Sequence, residues 1–372
     1  MPLTRRQLTA LPLGFVLPAW GDVAAAAAEE QIPSLAQAFG KSLPFGAAVT
    51  PAQLRDPAIA AFIAHQFSVL VAENAMKQAS LSRGEGLYDF SEADAIVDFA
   101  ARHGKLMRGH ALVWHQQAAP WMFKDGSGEV SRDKLIARME RYITDVVGHF
   151  RGRVFAWDVV NEAFQNGEGG AKTDENGMRM SEWRRIIGPE FIEIAFRAAA
   201  KADPGALLFY NDYESQDPQK VAAVRKMVRG LRANGVRIDG IGHQMHCGHA
   251  WPHLADVAAA IDAFAADGLK QHVTELDIAL NEMPTDTIVT AATPELLKAQ
   301  AERYAELMTL FLKKRDKLGA VLCWGIGDAY SWFLTWPRPR FEAPLLFDTQ
   351  LKPKPAFYAV LNVANDAARA AK

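Results

Sequence analysis

The chain has 372 residues, 49% of them hydrophobic, and a formal net charge of -2 at pH 7. That length and apolar share suffice for one large domain with a substantial core. With charge near balance, no strong basic bias suggests nucleic acid, and no acidic run suggests a disordered tail.

The first 28 residues differ from the rest. Arg5 and Arg6 give a short positive start, an apolar stretch runs from Leu8 to Trp20, and an alanine run spans Ala24 to Ala28. Charged start, apolar middle and small residues at the end are the layout of an export signal. Thr4-Arg5-Arg6-Gln7-Leu8 half matches the twin-arginine type, with Leu8 where Phe is usual. Pro12, Gly14 and Pro18 argue against a packed helix there. No later stretch reaches the ~20 apolar residues of a membrane span. The expectation is a signal over residues 1–28 and a single domain over 29–372, secreted or periplasmic, free of the membrane and monomeric.

From there short apolar runs alternate with amphipathic stretches of helical length, the signature of repeated βα units. The strands are expected at Phe45–Val49, Ser68–Glu73, Leu106–Trp114, Val154–Asn161, Ala206–Asn211, Ile238–Met245, His272–Ile278 and Ala320–Gly325. Ser91 to His103 reads as a helix capped by Ser91, with Asp94 three residues on and Ile96, Phe99 and Ala100 on one face. Further helices are expected at Leu135–Phe150, Glu190–Lys201, Gln219–Asn234, Leu254–Ala265, Pro294–Lys314 and Pro355–Ala368. Gly104, Gly235 and Gly268 each follow a helical run and stop it. Eight such units predict an α/β fold of the closed kind, a (β/α)8 TIM barrel. An open doubly wound sheet usually carries a glycine-rich loop after its first strand, and Val49-Thr50-Pro51 is not one. The two cysteines, Cys247 and Cys323, are expected as buried thiols.

In such barrels the active site lies at the C-terminal ends of the strands. There the sequence places polar and aromatic groups: Glu73, Asn74 and Lys77; His110, Trp114 and Gln117; Asn161 and Glu162; Asn211 and Tyr213; Gln244 and His246; Glu275 and Asp277; Trp324 and Trp332. Any one has an ordinary explanation, but in a closed barrel all converge on one cleft. No spacing suggests a metal triad, and there is neither a serine nucleophile elbow nor a phosphate loop. Carboxylates, amides and indoles suit a neutral polyhydroxylated substrate hydrolysed by two carboxylates, one protonated and one ionised. Glu162 and Glu275 are the best pair, on the fourth and seventh strands. Asn161 is beside Glu162, where it can hydrogen-bond a sugar 2-hydroxyl. Glu275 and Asp277 share a strand face, so His246 can bridge them and keep Glu275 ionised. Glu73 is a rival carboxylate, but Lys77, about one turn on, suggests an ion-paired grip on sugar.

These residues resemble glycoside hydrolase family 10, mostly xylanases, over roughly residues 40 to 360. The resemblance rests on Ala156-Trp157-Asp158-Val159-Val160-Asn161-Glu162-Ala163, on Val273-Thr274-Glu275-Leu276-Asp277-Ile278, on Arg108-Gly109-His110 with Leu112-Val113-Trp114-His115, on Asp239-Gly240-Ile241-Gly242 leading to Gln244 and His246, and on Pro344-Leu345-Leu346-Phe347-Asp348. It implies that Glu162 is the general acid/base, Glu275 the nucleophile, and His246 with Asp277 the network that sets the charge of Glu275. It implies further that Glu73, Asn74, Lys77, His110, Trp114 and Gln117 form the glycone side and Asn161 the 2-hydroxyl contact. Gln244 then supports the reaction centre, Asn211 and Tyr213 lie near the acid/base and the leaving side, and Trp324 and Trp332 wall the cleft against sugars larger than xylose. The implied activity is cleavage of internal β-1,4 bonds of xylan or xylo-oligosaccharides, with retention and without cofactor or metal.

The chain departs from the family in places. Where the family commonly has Glu-Asn-Glu-Met-Lys-Trp, it has Glu73-Asn74-Ala75-Met76-Lys77-Gln78. The last loop, with Gly325-Ile326-Gly327-Asp328 and Phe333 to Phe341, has its own form and offers Trp336 as a further platform or a packed indole. The stretch Asn166–Met180, rich in Gly and charge, is expected to shape the leaving side. A family member preferring short oligomers or tolerating glucans would differ in these loops, not in the two glutamates. A non-catalytic sugar-binding barrel would have lost Glu162, Glu275 or Asn161.

Overall fold

A computed structural model describes residues 32–165, 172–281, 289–335 and 340–370. The expected export segment and Trp336 lie outside them. Ser34–Lys372 form one compact unit.

Eight parallel strands close into a barrel: β1 (Phe45–Val49), β2 (Val69–Ala72), β3 (Leu106–Gly109), β4 (Ala156–Asn161), β5 (Leu207–Asp212), β6 (Gly240–His243), β7 (Lys270–Ala279) and β8 (Leu318–Cys323). Each pairs with its sequence neighbour, and β8 returns to β1 with Phe45 opposite Val321. The helices that follow the strands are α1 (Pro57–Gln66), α2 (Ser91–Arg102), α3 (Arg132–His149), α4 (Phe191–Ala202), α5 (Pro218–Ala233), α6 (Leu254–Ala266), α7 (Pro294–Lys313) and α8 (Pro355–Ala370). The chain is therefore a (β/α)8 barrel, as its pattern predicts. Strands read as continuous apolar runs because both faces are covered: β1, β2 and β4 are buried at every position.

The differences from the sequence reading have local causes. Helix α1 carries no polar stripe (Ala58-Ile59-Ala60-Ala61-Phe62-Ile63), so periodicity does not announce it; Asp56 caps it instead, accepting the Ala58 N–H at 2.8 Å ahead of Pro57. Ser91 is not the cap of α2. The helix begins on Ser91, whose N–H and hydroxyl both donate to Asp89, at 3.1 and 2.6 Å. The third strand ends at Gly109 rather than Trp114, and beyond it the chain keeps only scattered ladder bonds, such as Leu112 N–H to Asp158 O at 3.0 Å. Cys247 and Cys323 are buried free thiols.

A charged cluster is buried inside the barrel. Arg108 on β3 grips Asp158 on β4 through Nε to Oδ2 at 3.1 Å and through Nη2 to Oδ1. Its Nη1 lies 2.9 Å from His272 Nδ1 on β7, and His110 Nδ1 lies 3.0 Å from Asp158 Oδ2. Burial, with the Arg108 charge adding to it, holds the His272 imidazole well below its usual range, so it is neutral and accepts. Gly109 leaves room for this layer, because a Cβ there would strike the Trp157 ring. No helix among the described residues is long and apolar enough to cross a membrane.

Candidate active site

An open cleft of about 820 Å³ lies across the C-terminal ends of the strands. All but two of the residues singled out from the sequence line it. Asn211 and Asp277 are the exceptions; both are fully buried and hold the lining groups from beneath.

Glu162 directly follows β4, whose ladder shifts register between Asp158 and Val160. Such an irregularity re-aims the residues beyond it. The backbone of Glu162 is left-handed, with φ 56°, a conformation that costs a non-glycine residue about 1–3 kcal/mol and persists only where its surroundings impose it. They do. Its N–H donates to Asn211 O at 2.9 Å, and its carbonyl accepts from Arg179 Nε at 3.1 Å. The next two N–H groups, of Ala163 and Phe164, both donate to the Tyr210 hydroxyl, at 3.0 and 3.2 Å. Tyr210 in turn donates to buried Asp212, which Lys220 neutralises at 3.0 Å.

Glu275 sits on β7 within the second of two register shifts against β8, between Val273 and Leu276. His246 lies over it, with Nε2 at 3.2 Å from Glu275 Oε2 and Nδ1 at 3.0 Å from Asp277 Oδ2. The shared strand face read from the sequence is thus the one that meets the histidine. Trp332 Nε1 donates to the same Asp277 oxygen at 2.8 Å.

Three amides join the two glutamates. Asn211 Nδ2 donates to Glu275 Oε1 at 2.8 Å and to Asn161 Oδ1 at 2.9 Å, and Thr274 Oγ1 fixes its orientation by donating to Asn211 Oδ1 at 2.7 Å. Asn161 Nδ2 and Gln244 Nε2 each donate to Glu162 Oε1 at 3.1 Å. Gly242 permits this arrangement, since a Cβ there would collide with Asn211 Oδ1.

The surroundings push the two carboxyls apart. Burial raises Glu162, and the negative Asp212 raises it further. Burial also acts upward on Glu275, but the hydrogen bond from His246 and the charges of His110 and His246 outweigh it and leave the group below its usual range. Burial lowers His246, yet Asp277 and Glu275 bring it up to about 10. It is an imidazolium at neutral pH. One carboxyl shifted toward its protonated form beside one shifted toward its ionised form suits general acid and nucleophilic roles.

At one end of the cleft the ammonium of Lys77 does not reach Glu73 directly. It donates to Asn74 Oδ1 at 3.0 Å, and Asn74 Nδ2 donates to Glu73 Oε1 at 3.1 Å. Lys77 Nζ also stands 4.9 Å from the centre of the Trp114 ring and 5.9 Å from that of Trp324. Gln117 Nε2 joins at Asn74, 3.2 Å away. The unusual Gln78 accepts the Ala119 N–H at 3.0 Å and so shapes the loop bearing Gln117.

Sequence reasoning missed Arg179, His115 and Trp251. Arg179 lies in the stretch expected to shape the leaving side, of which residues 166–171 are outside the described part. It binds the Glu162 carbonyl and donates to Tyr213 Oη at 2.9 Å. His115 Nδ1 stands 4.0 Å from Glu162 Oε2, and burial, with Arg179 nearby, lowers its pKa to about 3, so it is neutral. Among the described residues no group of three or more His, Cys, Asp or Glu is placed to hold a metal ion.

Residues 34–363 match the model of glycosyl hydrolase family 10. An endo-1,4-beta-xylanase of Geobacillus stearothermophilus is 41% identical over 337 residues, 89% of this chain and 99% of that protein. A thermostable celloxylanase of Thermoclostridium stercorarium is 39% identical over 347 residues, 90% and 88% of the two chains. Among solved structures, xylanase XynB from Paenibacillus barcinonensis, in complex with a conduramine derivative, superposes with a TM-score of 0.84 at 37% identity, covering 89% of this chain and 99% of that one.

Proposed function

The chain belongs to glycosyl hydrolase family 10, and we propose that it is an endo-β-1,4-xylanase that cuts internal bonds of xylan with retention of configuration. The observation that carries this reading is the pair of glutamates joined through Asn211 and Asn161, Glu162 shifted toward its protonated form and Glu275 toward its ionised form.

In the first step Glu275 attacks the anomeric carbon as Glu162 gives its proton to the departing oxygen. A covalent glycosyl-enzyme results. In the second, Glu162 takes a proton from water, the water attacks the same carbon, and Glu275 leaves. His246 keeps Glu275 ionised and orients it, while Asp277 holds the imidazolium. Asn161 meets the 2-hydroxyl, a contact that strengthens in the transition state. Glu73, Asn74 and Lys77 grip the glycone through their hydroxyls. Trp324 and Trp332 wall the cleft, where a hydroxymethyl group would crowd them and xylose has none. Neither cofactor nor metal enters a step.

The celloxylanase among the relatives favours a second reading in which glucans are also cut. A product time course separates the two: xylan, xylohexaose and cellohexaose are digested side by side. Early mid-length products from the first two with little from the third support the xylanase reading. Comparable cutting of cellohexaose favours the broader one, and inert xylan contradicts both. The Arg5-Arg6 start, the apolar run Leu8–Trp20 and the alanine run after it support export, so the enzyme works on polymer outside the cytoplasm.

A further inference from the structure

We infer that Lys220 is a positioning residue for the acid/base, holding the peptide group after Glu162 through two hydrogen-bonded arms; the inference rests on the xylanase reading above. Lys220 lies in the first turn of α5, which Asp217 caps by accepting the Lys220 N–H at 2.9 Å. Its side chain is buried and does not line the cleft. Helical side chains lean toward the N-terminus of their helix, so the ammonium reaches the C-terminal end of β5. There it donates to Asp212 Oδ1 at 3.0 Å and to the Tyr213 carbonyl at 2.7 Å.

One arm passes through Asp212. Its other oxygen, Oδ2, accepts from the Tyr210 hydroxyl, and that hydroxyl accepts the Ala163 N–H at 3.0 Å. The second arm passes through Tyr213. Lys220 Nζ stands 3.7 Å from the centre of the Tyr213 ring, whose hydroxyl accepts from Arg179 Nη2 at 2.9 Å. Arg179 Nε then donates to the Glu162 carbonyl at 3.1 Å. The Glu162 carbonyl and the Ala163 N–H belong to one peptide group, and in a trans peptide they point in opposite directions. The two arms therefore grip that plane from both ends. They hold it where the left-handed backbone of Glu162 needs it.

A lysine is a costly residue for this place. Its charge is buried, and the positive end of the α5 dipole repels it. An apolar side chain of similar length would avoid both costs, so filling space does not account for the lysine. The ring of contacts that it closes does. Burial pushes the Asp212 carboxyl up, and the ammonium pulls against that, keeping an anion available to Tyr210.

The test compares kcat/KM on xylohexaose with kcat/KM on 4-nitrophenyl β-xylobioside. Both values report the first chemical step, but only the sugar leaving group depends on a well-aimed proton. In Lys220→Met the xylohexaose value should fall about 10-fold more than the aryl xylobioside value. Tyr210→Phe cuts one arm while leaving Lys220 and Asp212 paired, and should shift the ratio in the same direction. Circular dichroism shows which variants fold; if Lys220→Met does not, Tyr210→Phe decides. A purely structural role would lower both substrates alike. Equal losses, an unchanged ratio or a shift the other way overturn the inference. Wild-type protein inert toward both substrates overturns the xylanase reading itself and this inference with it.

Discussion

The His246 imidazole meets the Glu275 carboxylate at 3.2 Å. Because Asp277 holds the other ring nitrogen at 3.0 Å, the ring stays charged and its charge is spent on Glu275. Activity should follow a bell-shaped pH profile, rising as Glu275 ionises and falling as Glu162 does. In His246→Gln the Glu275 carboxyl loses its charged donor, so its pKa rises. The acid limb of kcat/KM should move up by about one pH unit while the alkaline limb stays. A lower rate with an unmoved acid limb would contradict this role.

The same ring links stability to pH. Its folded pKa of about 10 lies above the ordinary 6.5. The stabilisation it contributes is therefore complete below pH 6.5 and is lost as the pH rises through about 10. Thermal unfolding midpoints should fall across that window in the wild type and fall less in His246→Gln.

Glu162→Ala should lose about 10²- to 10⁴-fold on xylan, the usual worth of a general acid. With 4-nitrophenyl β-xylobioside the leaving group needs little protonation. The first step is then spared and the second, which needs the base, is not, so stopped-flow traces should show a burst of nitrophenol followed by slow turnover. Equal losses on both substrates without a burst would remove Glu162 from the acid role.

Gly242→Ala adds one methyl group against Asn211 Oδ1. Asn211 holds both Asn161 and Glu275, so its displacement disturbs the two carboxyl environments together. A misplacement of about 1 Å costs on the order of 100-fold in rate. The expected result is that loss in kcat with a nearly unchanged far-ultraviolet circular dichroism spectrum; near wild-type kcat would show that Asn211 is not a positioning group.

Asp158→Ala leaves the Arg108 guanidinium without its anion where both side chains are almost fully buried, at 0% and 1% exposure. Breaking such a pair from one side costs about 3–5 kcal/mol. Denaturant unfolding followed by tryptophan fluorescence should register it, and a change below ~1 kcal/mol would contradict a structural role for this layer.

Most of the barrel is legible in the sequence because parallel strands buried on both faces read as apolar runs and their helices carry a stripe. The cleft is legible because polar residues such as Asn161, Glu162, Gln244 and Glu275 interrupt those runs at one end. The rest is written in contacts without a period. Arg179 reaches Glu162 through isolated bridges, Phe164 to Met178 and Thr173 to Arg179, inside a Gly-rich stretch with no strand pattern. Trp251 occupies a loop, where composition does not tell an outward indole from a packed one. The Lys77–Asn74–Glu73 relay replaces the expected direct ion pair because Asn74, three residues from Lys77, lies within reach of both.

The central claim is a double displacement through Glu275, and the anomeric configuration of the first products tests it most directly. Xylohexaose is digested in deuterium oxide and the new reducing ends are followed by proton NMR before mutarotation sets in. β-Anomers appearing first, with α growing only at the rate of mutarotation, are the predicted result; α-anomers appearing first would mean that water, not Glu275, attacks the sugar, and would contradict the account.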